Sequence, residues 1–131
     1  MNLKIKLSSV LVDDQEKAEK FYTEILGFKI KHDIPIGEYK WLTVVSHDDP
    51  DGTELLLEPN GMDFTQEYQK TIYEKGMPAM MLFVDDINEV YEELKKRGVK
   101  FTKEPTDVGM VIMAIFDDTC GNLIQMTQEK N

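Results

Sequence analysis

The sequence predicts an α+β fold built from two tandem βαβββ modules. The first observation is an internal repeat, in which Val12-Asp13-Asp14 recurs as Val84-Asp85-Asp86. The second is that each copy follows a strand-like stretch and precedes apolar residues at helical spacing. The third is that three further strand-like stretches follow each predicted helix, separated by turn residues. Because a single helix covers only one face of a four-stranded sheet, the two copies must combine.

The first module, residues 1–60, is predicted to begin with a strand over 5–12. The apolar positions of the following helix share helical spacing; they are Ala18, Phe21, Tyr22, Ile25 and Leu26. An aspartate at the helix start accepts hydrogen bonds from backbone N–H groups, and Gly27 provides the left-handed conformation of a C-cap. Three more strands are predicted at 28–31, 40–46 and 54–58.

The second module, residues 78–131, repeats this order, beginning with a strand over 80–84. Its helical stripe consists of Ile87, Val90, Tyr91 and Leu94 and ends at Gly98. The remaining strands are predicted at 99–102, 111–116 and 122–127. A turn of the same kind precedes the last strand of each module, with glycine at Gly52 and at Gly121.

Residues 61–77 connect the two modules within a single domain over residues 1–131. Phe64, Tyr68 and Ile72 recur every four residues and predict a short amphipathic helix. This helix is either a lid or a connector that packs against its own or a partner's sheet. We expect the connector.

The charge of the chain excludes several partners. Its 131 residues include 15 Lys and Arg against 25 Asp and Glu, a net charge of −10. Nucleic acids and anionic lipid surfaces require clustered positive charge, so neither is an expected partner. Cys120 is the only cysteine, which precludes an intrachain disulfide and indicates a reducing, cytoplasmic location. We expect no transmembrane helix, because the longest apolar run, 77–84, is far shorter than the roughly 20 residues that a span requires.

The pattern resembles the vicinal oxygen chelate superfamily, which includes glyoxalase I, extradiol dioxygenases, fosfomycin-modifying enzymes and bleomycin-resistance proteins. The motifs that carry the resemblance are Val12-Asp13-Asp14, the stretch from Phe21-Tyr22 to Leu26-Gly27-Phe28, Glu58-Pro59-Asn60-Gly61, Phe83-Val84-Asp85-Asp86, Phe116-Asp117-Asp118 and Gly121-Asn122-Leu123-Ile124. The resemblance covers nearly the whole chain. It implies paired modules that curl into an open barrel around a central cavity, but it does not specify the reaction.

Metal-dependent members of this superfamily bind a divalent ion through side chains of the first and last strands of their modules. The corresponding positions in this chain are Leu7, Leu56, Ala79 and Gln125. Three of these side chains have no donor atom, and a single neutral amide oxygen does not hold a divalent ion. We therefore expect no metal and no other cofactor.

The same register predicts the lining of the cavity. The predicted ligand-binding residues are mostly apolar; they are Leu7, Ser9, Trp41, Leu56, Ala79, Met81, Phe83, Met113 and Gln125. A mostly apolar lining with a few polar groups is typical of small-molecule sites. If the protein is a catalyst, Glu58 or Glu54 is the candidate general base, and Gln125 is the candidate donor to an oxyanion.

The sequence therefore favours a metal-free protein that binds a small, partly apolar organic molecule and forms a homodimer through its sheet edges. Whether it turns over a substrate stays open. One alternative is a metal-dependent lyase, isomerase or dioxygenase of the glyoxalase I or extradiol type. A second alternative is a filled barrel that acts only as a dimeric interaction module.

Overall fold

The computed structural model describes residues 1–130, and the chain divides into two compact units between Met62 and Asp63. The first unit contains β1 (Leu7–Val12), α1 (Gln15–Lys20), a π-helical segment (Phe21–Ile25), β2 (Lys29–Ile36), β3 (Tyr39–Val45) and β4 (Glu54–Pro59). The second unit contains α2 (Asp63–Glu74), β5 (Met80–Phe83), α3 (Ile87–Lys96), β6 (Phe101–Asp107), β7 (Val111–Asp117) and β8 (Leu123–Glu129).

Each unit contains a four-stranded mixed sheet, and the two sheets have the same topology. The strand order is β1-β4-β3-β2 in the first and β5-β8-β7-β6 in the second. The first and last strands of each unit run parallel, and the other neighbours are antiparallel. The predicted α+β class with two tandem βαβββ modules is confirmed. No helix within residues 1–130 has the length and apolar character that crossing a membrane requires.

In the first unit, α1 and the π-helical segment cover one face of the sheet. Asp14 caps the helix by accepting hydrogen bonds from the backbone N–H groups of Glu16 and Lys17. The core beneath the helix is fully or almost fully buried; it comprises Val10, Val12, Ala18, Tyr22, Leu42, Val44 and Leu57. Since side chains alternate across a strand, this packing assigns the neighbouring positions of β1, β3 and β4 to the opposite face.

The second unit repeats this arrangement around α3, which Asp86 caps through the N–H of Glu89. The buried core comprises Ile87, Leu94, Ala114, Phe116, Ile124 and Met126. The Phe101 ring makes edge contacts with Tyr91 and Phe116, with ring centroids 4.6 and 5.7 Å apart. Aromatic pairs in this geometry stabilise the core beyond the area that they bury.

The edge strands β2 and β6 are longer than predicted. Each continues through a proline, Pro35 in β2 and Pro105 in β6, where the sequence pattern predicted that the strand had ended. A proline is compatible with an edge strand because its missing N–H can face away from the sheet. Both strands also contain register shifts, which obscure the alternation on which a prediction from sequence depends.

The predicted connector helix is present as α2 (Asp63–Glu74). Phe64 and Tyr68 are exposed, whereas Gln69 is buried. The Gln69 side-chain amide donates hydrogen bonds to the Cys120 carbonyl and to Asn122 Oδ1, both at 3.1 Å. The Tyr73 hydroxyl donates to Asp117, and this hydrogen bond raises the pKa of Tyr73. Polar contacts to the β7–β8 turn therefore hold α2 within the second unit.

The β7–β8 turn is itself organised around a buried carboxylate. Asp118 Oδ1 accepts the backbone N–H groups of Cys120 at 2.7 Å and Asn122 at 3.0 Å, and its Oδ2 accepts the Asn122 side-chain amide at 2.9 Å. Asp118 and Cys120 are both fully buried. The turn also places Thr119 at φ 63°, a left-handed conformation that costs energy in a residue other than glycine.

We predict that Asp118→Ala lowers the free energy of unfolding by about 3 kcal/mol, since it leaves buried donors without a charged acceptor. Urea denaturation measures this change. Asp51, in the corresponding turn of the first unit, provides the control because its side chain is 95% exposed. Asp51→Ala is expected to change stability by less than about 0.5 kcal/mol. Equal losses in the two variants contradict the assigned role of Asp118.

Candidate functional site

The sheet of the first unit has one face opposite α1, here called the first open face. Register pairs Leu7 with Glu54, Ser9 with Leu56, and Thr43 with Leu56, which places these side chains on one side of the sheet. Its members from the four strands are Leu7, Ser9, Leu11, Glu54, Leu56, Glu58, Trp41, Thr43, His32 and Ile34. The predicted lining residues of this module therefore share a face.

The second unit has an equivalent face opposite α3, here called the second open face. Met81 pairs with Gln125, Phe83 with Thr127, and Met113 with Thr127. Ala79 directly precedes β5, and its backbone N–H donates to the Leu123 carbonyl at 2.8 Å. The predicted lining residues of the second module are thus also brought to one face.

Both open faces expose apolar side chains to solvent. Leu7 is 40% exposed and Trp41 36% exposed on the first face, while Met81 is 56% and Phe83 62% exposed on the second. Exposed apolar side chains that share a face often mark a site of interaction. Single exposed apolar residues need no such explanation, so their grouping is the informative observation.

Polar groups interrupt each apolar face. On the second open face, the Gln125 amide donates to Thr127 Oγ1 at 3.1 Å and lies 3.8 Å from Met81 Sδ. Gln125 is half-buried, whereas Thr127 is buried. A partly exposed amide beside an apolar side chain can orient a ligand while the apolar surface binds it.

On the first open face, three strands contribute to a hydrogen-bonded cluster of His32, Thr43 and Glu54. Glu54 Oε1 accepts the Thr43 hydroxyl at 2.7 Å and lies 2.9 Å from His32 Nδ1. The hydrogen bonds from Thr43 and then from His32 hold the pKa of Glu54 below its ordinary value of 4.5. A lowered pKa makes Glu54 a weaker base. This geometry therefore favours a role for Glu54 in positioning His32 rather than the predicted role as general base.

His32 and Thr43 are not among the predicted site residues. The sequence pattern places His32 at the end of a short second strand, whereas β2 continues to Ile36. A register shift between Ile30 and His32 further hides the face to which His32 belongs. Glu58 lies half-buried near the end of β4, where it pairs with Leu11.

The residues at the superfamily's metal positions do not fit a metal site. Leu7, Leu56 and Ala79 have no donor atom, and the Gln125 side chain offers a single neutral amide oxygen, its nitrogen donating to Thr127. Across residues 1–130, no three His, Cys, Asp or Glu side chains lie close enough together to hold an ion.

We predict that Thr43→Val raises the pKa of Glu54 toward 4.5, because the valine keeps the side-chain shape but cannot donate a hydrogen bond. NMR titration of the Glu and Asp side-chain carboxyl signals measures this pKa. The pKa of Asp107 is lowered by Lys130 and should stay unchanged as an internal control. Since the folded pKa of Glu54 is depressed, its stabilising contribution is present above about pH 4.5 and is lost as pH falls through the folded value. A Glu54 titration identical in both proteins refutes the assignment.

Three comparisons with known proteins agree with this architecture. A 127-residue alignment with the Bacillus subtilis (strain 168) protein YurT shows 55% identity and covers 97% of this chain and 100% of YurT. Lactoylglutathione lyase of Escherichia coli O157:H7 is 27% identical, over 92% of this chain and 88% of that protein. The crystal structure of TnmS3, an antibiotic binding protein from Streptomyces sp. CB03234, matches with a TM-score of 0.75 at 28% identity and covers 98% of each chain.

A family model matches residues 4–126, which include every element of both sheets except the last residues of β8. The repeated βαβββ topology and this match identify the family. The chain belongs to the Glyoxalase/Bleomycin resistance protein/Dioxygenase superfamily.

Proposed function

We propose that this protein binds a small, partly apolar organic molecule through its open faces, without a metal ion. The observation that carries the proposal is the composition of these faces, on which exposed apolar side chains surround a few oriented polar groups. The proposed ligand contacts are Leu7, Ser9, Trp41, Leu56, Ala79, Met81, Phe83, Met113 and Gln125. The structural match to an antibiotic binding protein supports this class of ligand.

The alternative function is a metal-dependent lyase, which the similarity to lactoylglutathione lyase favours. It would require donor side chains where this chain has Leu7, Leu56 and Ala79. We predict that purified protein incubated with nickel, zinc, manganese or iron and then desalted retains no stoichiometric metal, because apolar side chains cannot coordinate it. Elemental analysis by mass spectrometry measures the content. Stoichiometric retention of one of these metals overturns the metal-free proposal.

We also propose that the protein is a cytoplasmic homodimer. The strands β1 and β2 form the edges of the first sheet, and β5 and β6 those of the second, so that each sheet has backbone groups that a second chain can pair. The single Cys120 suits a reducing compartment. Light scattering of the purified protein measures its mass, and a mass equal to one chain contradicts the dimer.

We predict that a thermal-shift screen against aromatic antibiotics, catechols and thiol conjugates finds ligands that raise the melting temperature, because a ligand selective for the folded state stabilises it. Met81→Glu is expected to weaken the binding of such a ligand about tenfold or more, since it places a charge on the second open face. Met110→Glu is the matched control, because Met110 is 87% exposed and lies between β6 and β7. A screen without any ligand, or equal losses in both variants, contradicts the proposed site.

A further inference from the structure

The side chains of His32, Thr43 and Glu54 form a hydrogen-bonded cluster on the first open face. Its members come from the adjacent strands β2, β3 and β4, and His32 pairs directly with Thr43 in the strand register. The backbone N–H of His32 also donates to Thr43 Oγ1 at 3.1 Å. The sheet itself therefore positions these three side chains, without help from a flexible loop.

The donor and acceptor roles within the cluster determine the state of the His32 ring. An ionised carboxylate only accepts hydrogen bonds, so the Nδ1 atom that lies 2.9 Å from Glu54 Oε1 must carry the hydrogen. In the neutral imidazole, Nε2 is then an acceptor. Thr43 donates to the same carboxylate oxygen and holds it in place. The cluster thus selects one tautomer of His32.

Exposure increases from the base of the cluster to its tip. Thr43 is fully buried, the Glu54 side chain is 22% exposed, and the His32 side chain is 43% exposed. The lowered pKa of Glu54 keeps its carboxylate ionised at neutral pH, which maintains the hydrogen bond to His32. A buried anchor that supports an exposed imidazole is an arrangement suited to contacting a ligand.

Next to His32 and Thr43, the first open face continues with two apolar residues, one of them aromatic. Trp41 and Ile34 pair with each other on the same face, two residues along their strands from Thr43 and His32. Two residues of strand correspond to about 7 Å, roughly the width of one aromatic ring system. The Trp41 and Ile34 side chains are 36% and 49% exposed. A flat ring can therefore contact Trp41 while its substituent reaches His32.

His47 provides an internal contrast, because it makes a similar ion pair in a different setting. Its Nδ1 lies 2.9 Å from Asp48 Oδ1, but the two side chains are 69% and 99% exposed and follow β3 in a turn. No buried hydroxyl anchors Asp48 among the hydrogen bonds found in residues 1–130. The pair at His32 is therefore distinguished by its anchor and by its apolar surroundings.

We propose that His32, held by Glu54, accepts a hydrogen bond from a weakly acidic hydroxyl group on an aromatic ligand that contacts Trp41. This inference rests on the proposed small-molecule function and specifies the ligand chemistry for the first open face. His32 is the contacting residue, and Glu54 and Thr43 are positioning residues. An aromatic molecule whose hydroxyl is blocked by methylation loses the hydrogen bond and keeps only the apolar contact.

The test compares 4-nitrophenol with 4-nitroanisole, which differ by one O-methyl group, and its affinities refer to the un-ionised phenol, because 4-nitrophenolate has no hydrogen to donate. Trp41 is the only tryptophan of the chain, so quenching of its fluorescence reports binding at this face. Titration of free N-acetyltryptophanamide corrects for absorption by the probe. We expect the wild-type protein to bind 4-nitrophenol about three- to tenfold more tightly than 4-nitroanisole, the range that one net hydrogen bond provides.

His32→Phe should remove this preference and leave the affinity for 4-nitroanisole within about twofold, because phenylalanine keeps a flat ring but has no acceptor. His47→Phe is the matched control and should retain the preference. Glu54→Gln should reduce the preference, because its amide can donate to Nδ1 and no longer selects the tautomer. The retained affinity for 4-nitroanisole shows that each variant keeps its folded face.

Equal affinity of the wild-type protein for the two probes, absence of 4-nitrophenol binding, or a preference that survives in His32→Phe overturns the role of His32. These outcomes leave the proposed function intact if other compounds raise the melting temperature in the ligand screen. If no compound binds in either experiment, the proposed function itself fails.

Discussion

The structure depends on a simple constraint of β-sheets, which is that side chains alternate between two faces while each unit has one helix to cover its sheet. In the first unit α1 covers the face that carries Val10, Val12 and Leu42, and in the second α3 covers the face that carries Ile124 and Met126. The opposite face of each sheet is therefore not covered by α1 or α3. Their mixture of exposed apolar groups and oriented polar groups is a direct consequence of this division.

Polar interactions serve different purposes on the two sides of this division. Asp118 is fully buried and saturated by the turn that surrounds it, and Gln69 ties α2 to the same turn. These contacts satisfy groups that would otherwise destabilise the folded state. The His32 cluster differs because its buried part, Thr43, supports an imidazole that remains partly exposed. Burial therefore separates polar groups that stabilise the turn from polar groups available to a ligand.

The superfamily includes proteins with different activities on a shared fold, so membership alone does not specify what this chain does. The side chains at the metal positions are more informative than membership, since Leu7, Leu56 and Ala79 have no atom that coordinates an ion. On the same face, Glu54 Oε1 accepts the Thr43 hydroxyl and lies 2.9 Å from His32 Nδ1. A ligand on these faces would be recognised by shape, apolar contact and a few hydrogen bonds.

Much of the fold could be predicted from the sequence, because each module repeats the same local signals. The Val-Asp-Asp repeat, the helical stripes and the glycines that follow them depend on neighbours within a few residues. These features are determined by local periodicity. The register implied by the superfamily resemblance, together with strand alternation, also predicted which side chains around Leu7, Met81 and Gln125 share a face.

The tertiary structure decided the features that depend on register between distant strands. The full lengths of β2 and β6 include Pro35 and Pro105. A proline is compatible with these strands only because both lie at a sheet edge, which the local sequence does not show. The buried Gln69 of α2 bonds the Cys120 carbonyl, 51 positions further along the chain, and no local pattern predicts this contact. His32 meets Glu54, 22 positions further along the chain, because β2, β3 and β4 are neighbours in the sheet. Strand pairing of this kind brings together residues that no local sequence pattern predicts to be in contact.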